Sequence, residues 1–254
     1  LTSLYFIHGM WSTPAVWDGY REYFLERGIA SHAPALPLHD RRRDEAPPPG
    51  LEALGLQDYI DFLVADVSRL PKPPVIVGHS LGGFLAQAVA ARMQPAGLVC
   101  LSPAASAATT ALSLDSVKSI WPIVRRWGWW KHATMPDRET ARWSIFNNVA
   151  TDIADAEIDA LVWDSGRVLA DLGFPWAVRN GAAKVDYARL TMPALVIVGT
   201  EDRITPPGIA RATARQVSGT VDYHELPGTG HWLFHPPVLA RVAGLIADWL
   251  PVEA

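Results

Sequence analysis

Apolar positions in this chain come in short dense blocks separated by longer stretches with a helical rhythm. LYFIHG (4–9), VIVGHS (75–80), GLVCLS (97–102) and ALVIVGT (194–200) are almost continuously apolar, the pattern of strands covered on both faces. IASHAPAL (29–36) and TVDYHEL (220–226) read as two further strands. AVWDGYREYFLERG, LQDYIDFLVADVSRL, LGGFLAQAVAARMQ, PPGIARATARQV and PPVLARVAGLIADWL fill most of the gaps with helical spacing. Such alternation predicts an α/β fold, a doubly wound and mostly parallel sheet of about six strands, whose ligands meet the carboxyl ends of the strands.

One interval breaks the rhythm. Between Ser102 and Ala194 the chain shows helical patterns and no convincing strand, over a length too great for a crossover. The expectation is a helical cap over residues 104–188, inserted into a core domain made of 1–103 and 189–254. The insertion holds IWPIVRRWGWWKH (120–132), with Trp121, Trp127, Trp129 and Trp130 among Arg125, Arg126, Lys131 and His132. Taken alone, that stretch suits a nucleic-acid platform, a membrane-surface helix or plain core. Further upstream, RRRDEAPPPG (41–50) reads as an exposed excursion. Arg41 to Arg43 have the charge to grip an anion, but Asp40, Asp44 and Glu45 flank them and favour a solvated loop.

Composition narrows the choices. A chain of 254 residues suffices for one large α/β domain carrying an insertion. A net charge of -4 and a pI near 6.1 argue against nucleic acid as partner and for a small molecule. The lone Cys100, inside AGLVCLS, cannot form an internal disulfide and reads as a buried, inert thiol of a reducing compartment. No run approaches the roughly 20 apolar residues of a membrane span, and LTSLYFIHG lacks signal-peptide architecture, so the expected location is the cytoplasm. No cysteine pair or H-x-x-x-H spacing suggests a metal site, and no cofactor is expected.

The strongest chemical signal is VIVGHSLGG (75–83): a strand, then Gly78-His79-Ser80-Leu81-Gly82, then a helix. This is the G-x-S-x-G nucleophile elbow in the context it requires, a strained turn that lifts the serine hydroxyl above the sheet. A serine needs a base, and the base an orienting acid, following it in the order Ser, Asp or Glu, His. Asp202 lies just beyond a strand end in ALVIVGTEDRITPP, and His231 sits in the glycine-rich loop LPGTGHW. Glu201 is the neighbouring alternative acid. His224, inside a strand, and His235 are expected to play structural roles.

On these residues, nearly the full chain resembles the α/β-hydrolase family, whose pattern of an acid after the penultimate strand and a G-x-G-H loop is met by Gly199, Asp202, Gly228, Gly230 and His231. The resemblance selects Asp202 over Glu201 and implies an oxyanion hole of two backbone N–H groups. One comes from Leu81; the HG-x motif in FIHGMW nominates Met10 for the other, with Trp11 next in line and His8 as buttress. His79, common before the serine in relatives, is expected to point away from it. The implied activity is serine-dependent hydrolysis of a carboxylic ester through an acyl-enzyme, acting on a small to medium, apolar or aromatic ester. Lactonase, cofactor-free perhydrolase and carbon–carbon hydrolase activities share the same triad, and a non-catalytic receptor is the alternative of a different class. The layout is similar to plant hydroxynitrile lyases and methyl esterases, but Trp232 stands where the lyases carry lysine. Because seven of eleven tryptophans fall between 104 and 188, substrate contact is expected from Trp11, Trp121, Trp127, Trp129 and Trp130. A homodimer through the insertion is compatible with the chain and not demanded by it.

Overall fold

The computed structural model describes residues 3–40, 44–111, 113–178 and 180–250; Arg41 to Arg43, weighed above as an anion grip, lie outside the described residues. In chain order the strands are β1 (Leu4–Ile7), β2 (Ser31–His32), β3 (Val75–His79), β4 (Gly97–Leu101), β5 (Ala133–Thr134), β6 (Asp164–Ser165), β7 (Ala194–Gly199) and β8 (Val221–Leu226). The helices are α1 (Asp18–Leu25), α2 (Leu56–Val67), α3 (Leu81–Met93), α4 (Leu114–Val124), α5 (Arg138–Ser144), α6 (Thr151–Ala160), α7 (Gly166–Gly173), α8 (Pro207–Gln216) and α9 (Val238–Trp249). Six strands form one parallel sheet in the order β2-β1-β3-β4-β7-β8.

The apolar runs become central strands because each feeds two cores at once. Side chains alternate across a strand, so Tyr5, Ile7, Ile76, Leu98, Cys100, Val196 and Val198 join α2 and α3 on one face. Leu4, Phe6, Val75, Val77, Val99, Leu101, Leu195 and Ile197 join α1 and α9 on the other. Burial pushes the Cys100 thiol pKa up, as an inert core cysteine requires. Helix α3 is buried from Leu81 to Ala91, the mark of a helix with no solvent face, and its one polar side chain there, Gln87, accepts the Tyr187 hydroxyl at 2.8 Å. The strand expected over 29–36 pairs only through Ser31 and His32, since Pro34 and Pro37 cannot donate to a ladder.

Strand order reverses between β1 and β3, β1 having β2 on its other side. In parallel sheets this switch opens a crevice at the carboxyl ends, and the loop after β1 meets the turn after β3 there. The segment between β4 and β7 holds α4 to α7 together with a two-stranded antiparallel ladder, β5–β6. That ladder departs from the purely helical expectation; two-residue strands are too short to carry a period. Among the described residues, no helix is long and apolar enough to cross a membrane.

Candidate active site

Ser80 occupies the single residue between β3 and α3, with φ 56 and ψ -121. A serine at positive φ is strained, and the surroundings hold it there. Its N–H donates to the Leu101 carbonyl at 3.0 Å, and its carbonyl accepts from Gly83, Phe84 and Ala104. The two flanking glycines are required sterically. A Cβ on Gly78 would run into the Gly82 backbone, and one on Gly82 would strike the carbonyls of Ile7 and His8 at the end of β1. As the first residue of α3, Leu81 presents an N–H with no intrahelical acceptor, at the positive end of the helix dipole.

His231 and Asp202 come together at the ends of β7 and β8. His231 Nδ1 lies 2.7 Å from Asp202 Oδ2, with both side chains buried. The carboxylate also accepts the backbone N–H groups of Ile204 and Thr205 at 3.0 and 2.8 Å and the Thr205 hydroxyl at 3.0 Å. Burial alone would raise the Asp202 pKa. The charge and hydrogen bond of His231, with the Thr205 N–H, outweigh it and hold the carboxyl below its ordinary value. With Nδ1 turned to Asp202, Nε2 is the nitrogen left to face the cavity. Glu201, the competing acid, instead accepts from Asn148 on the surface.

A narrow cavity of about 30 Å³ joins these groups, bordered by Gly9, Met10, Trp11, Ser12, His79, Ser80, Ile145, Leu161, Ile204, His231 and Trp232. That is room for a water or two. His79 Nε2 donates to the His231 carbonyl at 2.9 Å, and burial followed by the nearby His231 lowers its pKa to about 3. It is therefore neutral, and it fixes the backbone of the His231 loop. His235 contacts the Pro236 carbonyl, and His224 stands on the exposed face of β8.

The loop after β1 is held from two sides. His8 Nε2 accepts the Leu36 N–H at 3.1 Å, so Nδ1 carries the proton and donates to the Gly9 carbonyl at 2.9 Å. Burial, then the charge of His39, keeps His8 neutral, with its pKa lowered to about 3. Since a trans peptide sets C=O and N–H in opposite directions, pinning the Gly9 oxygen to His8 turns the Met10 N–H away from it. The Trp11 N–H is already taken by Asp164 Oδ2 at 3.1 Å, which removes Trp11 as an alternative oxyanion donor.

The tryptophans divide differently from expectation. Trp11 borders the cavity, together with Trp232. Trp121, Trp127, Trp129 and Trp130 do not, which corrects the placement of the 120–132 stretch over Ser80. Trp127 is 93% and Trp121 57% exposed, whereas Trp129 is buried against Trp130 and Phe174. Arg125, Arg126 and Lys131 are exposed beside them. Ile145 and Leu161 line the cavity from the segment between β4 and β7. Unlike the tryptophan cluster, they carried no compositional signal. Thr205, three residues after Asp202, was legible in principle as a hydroxyl beside the acid. No metal-holding group of His, Cys, Asp or Glu occurs among the described residues.

Comparison with known proteins agrees with this fold. Residues 4–243 match the model of the alpha/beta hydrolase family, and the chain belongs to that family. Among solved structures it is similar to a monoacylglycerol lipase from Paleococcus ferrophilus, at 21% identity over 98% of this chain and 95% of that one, with a TM-score of 0.71. It is also similar to a pyrethroid hydrolase from Sphingobium faniae, at 19% identity over 98% and 97% of the two chains and a TM-score of 0.70. A methylesterase from Arabidopsis superposes with a TM-score of 0.70 at 14% identity, over 98% of each chain. No curated protein matches the chain significantly in sequence.

Proposed function

We propose that this protein is a serine-dependent carboxylic-ester hydrolase. The observation that carries the reading is the convergence of Ser80, at its strained turn, and His231, oriented by Asp202, on one cavity. His231 Nε2 takes the proton of Ser80 as its hydroxyl oxygen attacks the ester carbonyl. Asp202 keeps the imidazole in the tautomer that leaves Nε2 basic, and balances the imidazolium that forms. The N–H groups of Leu81 and Met10 stabilise the oxyanion. Collapse expels the alcohol, protonated by His231, and water then releases the acid from the acyl-enzyme by the same steps.

Met10, Trp11, Ile145, Leu161, Ile204 and Trp232 make the cavity wall largely apolar, which fits an apolar acyl or aryl group. Its small volume favours short acyl chains, and the Ile145 and Leu161 side chains must give way to longer ones. In this reading the segment between β4 and β7 serves as a cap over Ser80. The solved structures it resembles include a lipase, a methylesterase and a pyrethroid hydrolase, consistent with ester chemistry. The test is a panel of p-nitrophenyl esters from acetate to octanoate, with lactones alongside. Turnover highest on acetate and butyrate supports the reading, and no turnover on any ester would overturn it.

A further inference from the structure

A second buried cluster lies directly behind the loop after β1. Asp164, in β6, is fully buried. Oδ1 accepts the Tyr59 hydroxyl at 2.9 Å and the Ser165 N–H at 2.7 Å, and Oδ2 accepts the Trp11 N–H at 3.1 Å. His39 Nε2 approaches Oδ2 to 3.1 Å, off the axis of a well-aimed hydrogen bond, while His39 Nδ1 meets the Pro37 carbonyl at 2.9 Å. The carboxylate thus accepts three hydrogen bonds and has the His39 ring beside it, and the proposed acyl transfer uses none of these contacts.

The contact with Trp11 is what matters to the site. Trp11 has φ 60, a conformation that a bulky residue keeps only when its surroundings impose it. Both of its backbone polar groups are held from the same short stretch of the inserted segment: Asp164 takes the N–H, and the Val162 N–H donates to the Trp11 carbonyl at 2.9 Å. The preceding peptide nitrogen belongs to Met10. If Trp11 relaxes to negative φ, the Met10–Trp11 peptide turns and Met10 shifts with it, so that the Gly9–Met10 peptide, which carries the Met10 N–H, is held from the His8 side alone.

We propose that Asp164 is a positioning residue for the oxyanion hole: through the Trp11 N–H it clamps the strained loop after β1 and so aims the Met10 N–H at the substrate oxygen. This rests on the serine-hydrolase reading above. Stabilisation of the oxyanion thereby depends on a side chain 153 residues away in sequence, and the inserted segment does more than cover the cavity. Tyr59 and His39 meet the same carboxylate, and among the described residues the hydrogen bonds of the Trp11 backbone go to Asp164 and Val162 and not to them.

The test uses the purified full-length chain, with Ser80→Ala as the reference for background. Asp164→Ala is expected to lower kcat on a short p-nitrophenyl ester by about 10- to 100-fold, part of the loss seen when an oxyanion donor is removed, with KM within about twofold. Affinity for a short alkyl boronic acid, whose tetrahedral adduct needs the same donors, should fall in parallel. Tyr59→Phe keeps the Trp11 contact and should lower the melting temperature while leaving kcat and boronate affinity within about threefold. Should Asp164→Ala fail to fold, Val162→Pro, which deletes the N–H to the Trp11 carbonyl, and Asp164→Asn carry the test with the same readouts. Folded Asp164 and Val162 variants with wild-type kcat and boronate affinity, or with a loss confined to KM, would overturn the clamp while leaving the Ser80 reading intact. Full turnover by Ser80→Ala would instead overturn both.

Discussion

His231–Asp202 and His39–Asp164 are both buried imidazole–carboxylate pairs, 2.7 and 3.1 Å apart. In the first, one ring nitrogen is tied to the acid and the other is left toward a cavity shared with Ser80. In the second, one nitrogen meets the carboxylate and the other a backbone carbonyl, so the ring has two acceptors and no opening. Burial lowers the His39 pKa, but Asp164 and the carbonyls of Pro37 and Leu36 outweigh it and raise it overall. The Asp164 pKa is lowered despite burial by His39, Tyr59 and the Trp11 N–H. In the proposed mechanism the first pair moves a proton. The second is arranged to keep its charges in place. Chemistry therefore follows from which ring nitrogen is free and what it faces, not from the presence of a buried histidine beside an aspartate.

The two pairs should differ most at Asp202. Asp202→Asn should lower kcat on a short ester by about 10⁴-fold, the scale of losing the orienting carboxylate in a serine-protease triad, with an unchanged circular dichroism spectrum. Near-normal turnover would mean that another carboxylate orients His231. At the second pair the expected damage is to stability. His39→Gln leaves a buried carboxylate short of its counter-charge and should destabilise the fold by about 3–5 kcal/mol, read by urea unfolding, with a far smaller effect on kcat than Asp202→Asn.

Acidity separates the pairs further. The folded pKa of His39 lies above 6.5, so its contribution is complete below pH 6.5 and is lost as pH rises through the raised value. Asp164 lies below 3.8, so its share holds above that pH and is lost as pH falls through the lowered value. The melting-temperature gap between wild type and His39→Gln should accordingly be widest near pH 6 and shrink as pH rises through the raised His39 value. His79 runs the other way. Lowered from 6.5 to about 3, it must gain a proton on unfolding in acid, so stability is lost progressively as pH falls from 6.5 towards 3.

How much of this was legible in the sequence follows the same divide. Ser80, Asp202 and His231 each sit in a local context with a steric requirement: glycines two residues either side of the serine, an acid just past an apolar run, a histidine in a glycine loop. The central strands were legible because they are buried on both faces. Asp164 and His39 carry no such local mark; they lie 125 residues apart and meet only because β6 docks behind the loop after β1. The tryptophan-rich stretch misled for a related reason. Composition reports large apolar surface but not its direction, and Trp127 faces solvent while Ile145 and Leu161 reach the cavity.

Smaller effects sharpen that last contrast. Leu161→Ala should widen the cavity and shift the preferred acyl chain by two or more carbons in kcat/KM, roughly a tenfold change in the ratio of octanoate to acetate. Trp127→Ala should leave kcat and KM within about twofold on every ester of the series, and a large KM increase would return that tryptophan to the substrate path.

The proposed role of Ser80 is that of a nucleophile activated by His231. It is tested most directly by treating the protein with a serine-directed organophosphonate and mapping the adduct by peptide mass spectrometry. Stoichiometric labelling of Ser80 is expected, with parallel loss of esterase turnover, and no labelling in His231→Ala over the same time. Labelling at another residue, or an unlabelled Ser80 in protein that still hydrolyses esters, would contradict it.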